Sequence, residues 1–188
     1  MPKALLMTVG TGQTRKDIAQ ALVFAIRQHN PDHVLFIATA KSQAETLPLV
    51  LGDAAVCGRH HDVAMVADED DFEAICQQCR DLIRALASRG FGPGQLVADY
   101  TSGTKAMSAG LCLAAVDEGL DAISYIAGKR GDGGRVISGT ERLITARPGL
   151  TQATRHLEAA IQYFNTYQFS AARAALERAL AATADPEV

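Results

Sequence analysis

Short apolar runs alternate with longer stretches in which apolar residues recur every three or four positions, and the alternation continues from the first residues to about residue 147. Runs of five or six residues suit strands buried on both faces; the longer period suits helices that bury one side. This predicts strands over residues 4–9, 33–38, 62–66, 96–100 and 122–126. Between the first two, Ile18, Ala21, Leu22, Ala25 and Ile26 line one face of a helix. Over residues 71–88, Phe72, Ile75, Cys76, Cys79, Leu82, Ile83 and Leu86 form an unbroken i, i+3, i+4 series. A further helix is predicted over residues 104–118, tightly packed through Ala109 and Gly110 and closed by Gly119. Ser42 and Glu45 read as a capping box opening a helix that Pro48 keeps short or irregular.

Strand, helix, strand in this order predicts a doubly wound, mostly parallel α/β sheet of Rossmann-like type. A glycine-rich turn over residues 128–134 follows the fifth strand, and Val136 and Ile137 are expected to return as an antiparallel edge strand. Past Pro148 and Gly149 the pattern becomes helical, with Leu157, Ala160, Ile161 and Phe164 on one face and Phe169, Leu176 and Leu180 on another. The expected organisation is therefore an α/β domain over residues 1–147 and a helical hairpin over residues 150–188. The hairpin reads as the start of an effector or linker domain, or as a dimerisation element. One helical pair is not a repeat array, which needs about three copies to bury its faces.

Length and composition narrow the function classes. A chain of 188 residues, 48% hydrophobic and 21% charged, suits one filled core with a short appendage. A formal charge of -3 argues against a protein that grips long nucleic acid through a basic face. It leaves room for a small anion, which a few oriented amides and one lysine can hold. No apolar stretch approaches a membrane span or a signal segment, so the expectation is a cytoplasmic protein with no membrane partner. Its four cysteines, Cys57, Cys76, Cys79 and Cys112, are then read as reduced thiols.

In an open parallel sheet, ligands bind beyond the carboxyl ends of the strands. Two loops lie at such ends. Gly10, Thr11, Gly12 and Gln13 follow the first strand, and the glycines let backbone approach a ligand at a helix start. A dinucleotide fingerprint is excluded: Arg15 stands where the third glycine belongs, and Thr39-Ala-Lys41 supplies no acidic residue after the second strand. The second loop, Thr101, Ser102, Gly103, Thr104 and Lys105, gathers hydroxyls, a glycine and a lysine at one strand-to-helix junction. Helix amides and hydroxyls there suit a phosphate, with Lys105 as a point charge. The P-loop spacing is absent, so magnesium-dependent triphosphate hydrolysis is not supported. The plain structural reading makes Thr101 or Ser102 a helix cap and Lys105 a solvated first-turn residue.

On Thr8-Val-Gly-Thr-Gly12 after the first strand and Asp99-Tyr-Thr-Ser-Gly-Thr-Lys-Ala-Met107 after the fourth, the chain resembles the CRISPR-associated Rossmann fold (CARF) domains, particularly the Cas02710-type branch. The resemblance covers about residues 3–147. It implies binding of a cyclic oligoadenylate, tetra- or hexa-adenylate, across a homodimer, with the signal relayed to an attached or associated effector in type III CRISPR defence. Gly10, Thr11, Gly12 and Gln13 would face one part of the ring and residues 101–105 another, with Thr39, Lys41 and Ser42 at the same mouth. No cofactor or metal is implied. An even ring can share a two-fold axis with a homodimer, so each protomer presents the same loops to half of the ligand.

Two alternatives stand beside the sensor. In a metal-independent ring nuclease, a ribose 2′-hydroxyl would attack the adjacent phosphodiester while Lys105 and loop amides stabilise the charge; no general base is evident near the loop. A transcriptional regulator or interaction module would dock through the terminal helices, but Arg155, Arg173 and Arg178 are interspersed with Glu158 and Glu177 rather than forming a basic recognition helix. The chain leaves no room for the nuclease domain of larger relatives, which predicts a sensor fragment or stand-alone regulator.

Other signals are discounted. Cys57 and His60 with Cys76 and Cys79 have zinc-like spacing, but Cys76 and Cys79 fall on a helical core stripe. Arg27 and His33 match the spacing of the HEPN ribonuclease motif yet straddle Asn30-Pro31 at a helix-to-strand turn. The acidic run of residues 68–71 is read as a solvated helix start. Tyr163, Phe164, Tyr167 and Phe169 suit either a partner surface or ordinary hairpin packing.

Overall fold

The computed structural model describes residues 3–12, 15–129, 136 and 139–183. They form, in order, β1 (Ala4–Val9), α1 (Arg15–His29), β2 (His33–Ala38), α2 (Ala40–Glu45), α3 (Leu47–Leu51), β3 (His60–Met65), α4 (Phe72–Ser88), β4 (Leu96–Asp99), α5 (Lys105–Asp117), β5 (Ala122–Ala127), β6 (Arg142–Ala146), α6 (Gly149–Asn165) and α7 (Phe169–Thr183). The chain divides into two compact units, Met1–Ala146 and Arg147–Val188.

In the first unit the six strands take the order β3-β2-β1-β4-β5-β6, parallel throughout except for the antiparallel β5–β6 pair. This is the mostly parallel Rossmann-like sheet with an antiparallel edge that the sequence pattern predicts. β1, β2 and β4 are buried along their whole length. Alternate residues feed two cores: Leu6, Ile37 and Ala98 pack with α4 and α5, and Leu5, Phe36 and Val97 pack with α1 and α3.

Several boundaries differ from the pattern. β3 begins at His60 rather than residue 62, because pairing with β2 (His33 opposite His60) recruits two polar residues onto an exposed edge. Among the described residues the antiparallel edge strand is Arg142–Ala146; its alternation of exposed Arg142 with core-packed Leu143 registers weakly in any count of apolar residues. Val136 forms an isolated bridge, while Ile137 and most of the predicted glycine turn, residues 130–134, lie outside the described residues. Ser42 does not open its helix. Thr39 is the N-cap and Ser42 the third helical residue, their side chains satisfying each other's amides, while Glu45 pairs with Arg15 at 3.2 Å. Asp71 caps α4 through a bond from the Ala74 amide, in keeping with the helix-start reading of the acidic run.

Close approach of α4 and α5 rests on Gly110, where an added Cβ would lie 2.9 Å from Ile75 Cγ2 and 3.2 Å from the Cys76 nitrogen. Cys76 and Cys79 line the same contact, and burial pushes the Cys79 thiol up to about 12. Among the described residues, no group of three His, Cys, Asp or Glu has metal-ligating geometry.

A polar chain crosses the other core. Asp99, fully buried, accepts from the Thr101 amide at 3.0 Å and from the Ser124 hydroxyl at 2.8 Å, and His29 Nε2 lies 2.8 Å from that hydroxyl. Burial pushes the Asp99 carboxyl up against those stabilising bonds. Burial, helped by Lys3, pulls the His29 imidazole down to about 4.

In the second unit α6 and α7 pack antiparallel through Ala153, Ala160, Ala172 and Ala175. Of the apolar residues that sequence periodicity assigns to helix faces, only Ala160 is buried; Leu157, Ile161, Phe164, Phe169, Leu176 and Leu180 are exposed. Phe164, Tyr167 and Phe169 pack ring against ring within the hairpin, and all three, with Tyr163, nonetheless stay exposed. Among the described side chains of the two helices the four buried ones are alanines, whose small size lets helix backbones approach.

Two measurements check this packing. Gly110→Ala is expected to lower unfolding free energy by about 1–3 kcal/mol in urea titrations, overpacking outweighing the ~1 kcal/mol gain in helix propensity; equal or greater stability would contradict the contact. His29 is neutral in the native state, so its contribution is present above about pH 6.5 and lost as pH falls towards 4. Asp99 works in the opposite sense, its raised carboxyl favouring the fold as pH falls. His29→Gln should therefore reduce the loss of stability between about pH 7 and 4 by about 2 kcal/mol, the full shift being discounted for the imidazole's partial exposure to solvent; an unchanged pH profile would show that His29 is not buried as a neutral group.

Candidate functional site

Strand order reverses between β1 and β4, so the loops that leave their carboxyl ends are neighbours by topology. The structure brings them into direct backbone contact. A Cβ built on Gly10 would sit 2.5 Å from the Gly103 nitrogen, and one on Gly103 would sit 3.0 Å from Thr8 Cβ. Gly103 also has φ +104, a conformation that side chains disfavour. Only glycine at both positions permits this approach.

Hydroxyls clamp the contact. Thr8 Oγ1 donates to the Ser102 carbonyl, while Ser102 Oγ donates back to the Thr8 carbonyl at 2.8 Å and accepts from the Gly10 amide at 3.0 Å. Thr46 Oγ1 donates to the Gly10 carbonyl at 2.9 Å, tying the start of α3 to the same loop. Thr101 is fixed through its amide on Asp99 and its hydroxyl, which accepts from the Ile126 amide at 3.0 Å. Thr104 is the N-cap of α5, accepting from the Met107 amide at 3.1 Å and donating to the Glu69 carbonyl at 2.6 Å.

These bonds sort the residues singled out in the sequence. Gly10, Ser102 and Gly103 are buried or half-buried parts of the clamp, and the hydroxyls of Thr101, Ser102 and Thr104 are committed to it. Thr39 and Ser42 do not offer their hydroxyls at the mouth: both are buried and spend them on the α2 capping box. The residues left facing outward are Thr11, half-buried, and Gly12, Lys41 and Lys105, exposed; Gln13 lies outside the described residues. Lys105 is the first residue of α5, whose opening amides have no carbonyl one turn back and attract negative charge.

Beside Lys105 runs a shallow groove of about 320 Å³ along α5, lined by Tyr100, Gly103, Thr104, Ser108, Ala109 and Cys112. Tyr100 packs against Tyr125 with ring centroids 5.2 Å apart. Sequence reasoning missed Thr46, Ser124 and His29 altogether. Asp99 and Ser124 carry a usable signal, each being a polar residue at a buried position of an otherwise apolar strand. Thr46 and His29 carry none, since their roles come from tertiary placement alone. Arg27 and His33 form no joint site: Arg27 pairs with Asp53 at 2.8 Å, and His33 is buried at the start of β2, 3.2 Å from Asp62. No described helix is long and apolar enough to cross a membrane.

No protein-family model and no curated protein matches the sequence. Among solved structures, the fold is similar to that of Csm6 from Enterococcus italicus bound to cyclic hexa-2′-fluoro-hexa-dAMP, with a TM-score of 0.68 at 16% identity. The match covers 95% of this chain and 49% of that one, so the chain spans about half the length of the structure it resembles. At this identity the similarity is one of architecture, and it agrees with the Rossmann-like strand order of the sheet.

Proposed function

We propose that this chain binds a cyclic oligoadenylate at the joined β1 and β4 loops and acts as a sensor in type III CRISPR signalling. The observation that carries the reading is the clamp of Gly10 on Gly103, which joins the loop leading into Thr11 and Gly12 to the loop leading into α5 and Lys105. Phosphates of a small ring need few donors, and helix-end amides with one ammonium supply them without a basic surface. The tyrosine-walled groove beside Lys105 suits a base, whose flat apolar face packs on an aromatic ring. The ligand in the Csm6 structure is of the same chemical class.

The proposal assigns the ligand contacts to Thr11, Gly12, Gln13, the residues 101–105 backbone and Lys105. Gly10, Ser102 and Gly103 hold those contacts in place. It includes a homodimer that shares the ring across a two-fold axis, a sensor domain over residues 1–147, and relay of binding through residues 150–188 to an effector in the cytoplasm. Under this reading the chain would fall in the Cas02710-type branch.

Calorimetric titration with cyclic tetra- and hexa-adenylate tests it. One ring is expected to bind with a dissociation constant of about 1 μM or below, and Lys105→Ala is expected to weaken that binding about tenfold or more, about 1.4 kcal/mol. Absence of binding by either ring at about 10 μM would remove the assignment. Chromatography of the titrated ligand separates sensing, which leaves the ring intact, from a ring nuclease that opens it.

A further inference from the structure

The helical pair of the second unit closes on alanines and turns its large apolar side chains outward. Leu157, Ile161 and Phe164 recur at i, i+4 and i+7 along α6; Phe169, Leu176 and Leu180 form the matching stripe on α7. At 100° per residue, each stripe is displaced by about 60–90° in the same rotational sense from the buried alanines of its helix. In an antiparallel pair that places both on the same side. Direct contact across the turn agrees, with Phe164 and Phe169 meeting edge-on at 5.5 Å and Tyr167 reaching Phe169 at 6.2 Å. The result is one continuous apolar face, on which Phe164 is 61% and Leu180 71% exposed.

The size of the face and the charges at its flanks indicate what covers it. Six aliphatic and aromatic side chains about half exposed, with Tyr167 at one end, amount to on the order of 800 Å², about what each partner contributes to a stable protein interface. That is more than a soluble surface ordinarily leaves open. Arg173 and Glu177 pair at 2.9 Å on the α7 flank and Glu158 lies on the α6 flank, so both signs border the face. A rim of mixed charge gives neither the basic stripe that nucleic acid or an anionic membrane requires nor the acidic one that a basic partner would seek. It is complementary to itself after a two-fold rotation.

We infer that this face is an interface for a second copy of the same hairpin, the two pairs joining as a four-helix bundle. Apolar ridges of one pair then fill the grooves of the other, at the shallow crossing angle usual for such bundles. This contact requires no nucleotide and is distinct from the ring-binding loops. A chain that dimerises only when the ring is bound would defeat this inference alone, and a hairpin dimer that ignores both rings would defeat the sensor reading alone.

Sedimentation velocity of the full chain without nucleotide, from about 1 to 100 μM, tests the inference. The wild-type chain is expected to pass from monomer to dimer within that range. Ile161→Glu with Leu176→Glu is expected to raise the dissociation constant at least about tenfold, with helical content by circular dichroism unchanged because both side chains are exposed. The same positions as serine should weaken association in the same direction and to a smaller degree. A wild-type chain that is monomeric at about 100 μM, or a dimer that survives both double substitutions undiminished, would overturn it.

Discussion

The approach of two glycines, Gly10 and Gly103, is the constraint on which the rest of the site depends. Gly10 lies too close to the Gly103 backbone for a side chain, Gly103 combines φ +104 with the Thr8 side chain at its back, and Thr8 and Ser102 exchange hydroxyl-to-carbonyl bonds across the contact. Each bond satisfies a strand-end polar group that would otherwise be buried without a partner. Two turns separated by about ninety residues thereby become one rigid platform. Behind it, Asp99 braces Thr101 and Ser124 braces Asp99, so the second loop is anchored in the core as well as to the first loop.

This arrangement divides labour differently from a simple reading of the loops. Hydroxyls at a strand-to-helix junction suggest phosphate donors, yet here most of them are structural. Thr101, Ser102 and Thr104 each spend a side chain on backbone groups nearby, and Thr39 and Ser42 spend theirs on one another. What the platform presents outward is backbone at Thr11 and Gly12, the amino end of α5, and Lys105. A site built on amides and one ammonium suits a small anion held at close range, in keeping with the chain's net negative charge.

Much of the fold was legible in the sequence because the buried strands are continuous apolar runs. β1 and β2 fall at the expected residues, and the neighbouring positions of the two loops follow from the doubly wound order. What escaped was whatever depends on an edge or on a single side chain's surroundings. β6 alternates too weakly to stand out, β3 opens on two histidines recruited by pairing, and T-x-x-S at Thr39 does the work that S-x-x-E at Ser42 advertises. The hairpin periodicity was read correctly as helical, but periodicity cannot say which of two adjacent stripes faces the partner helix. Alanines took that place and left the larger residues outside.

The claim that the two loops form a single mechanical unit can be measured without any ligand. Unfolding free energies of Thr8→Val, Ser102→Ala and the double substitution complete a cycle in which each single change removes bonds from one side of the clamp. The account predicts a coupling of about 1 kcal/mol or more, as for residues within one hydrogen-bond network. Strict additivity of the two changes would show that the loops are merely adjacent, and would contradict it.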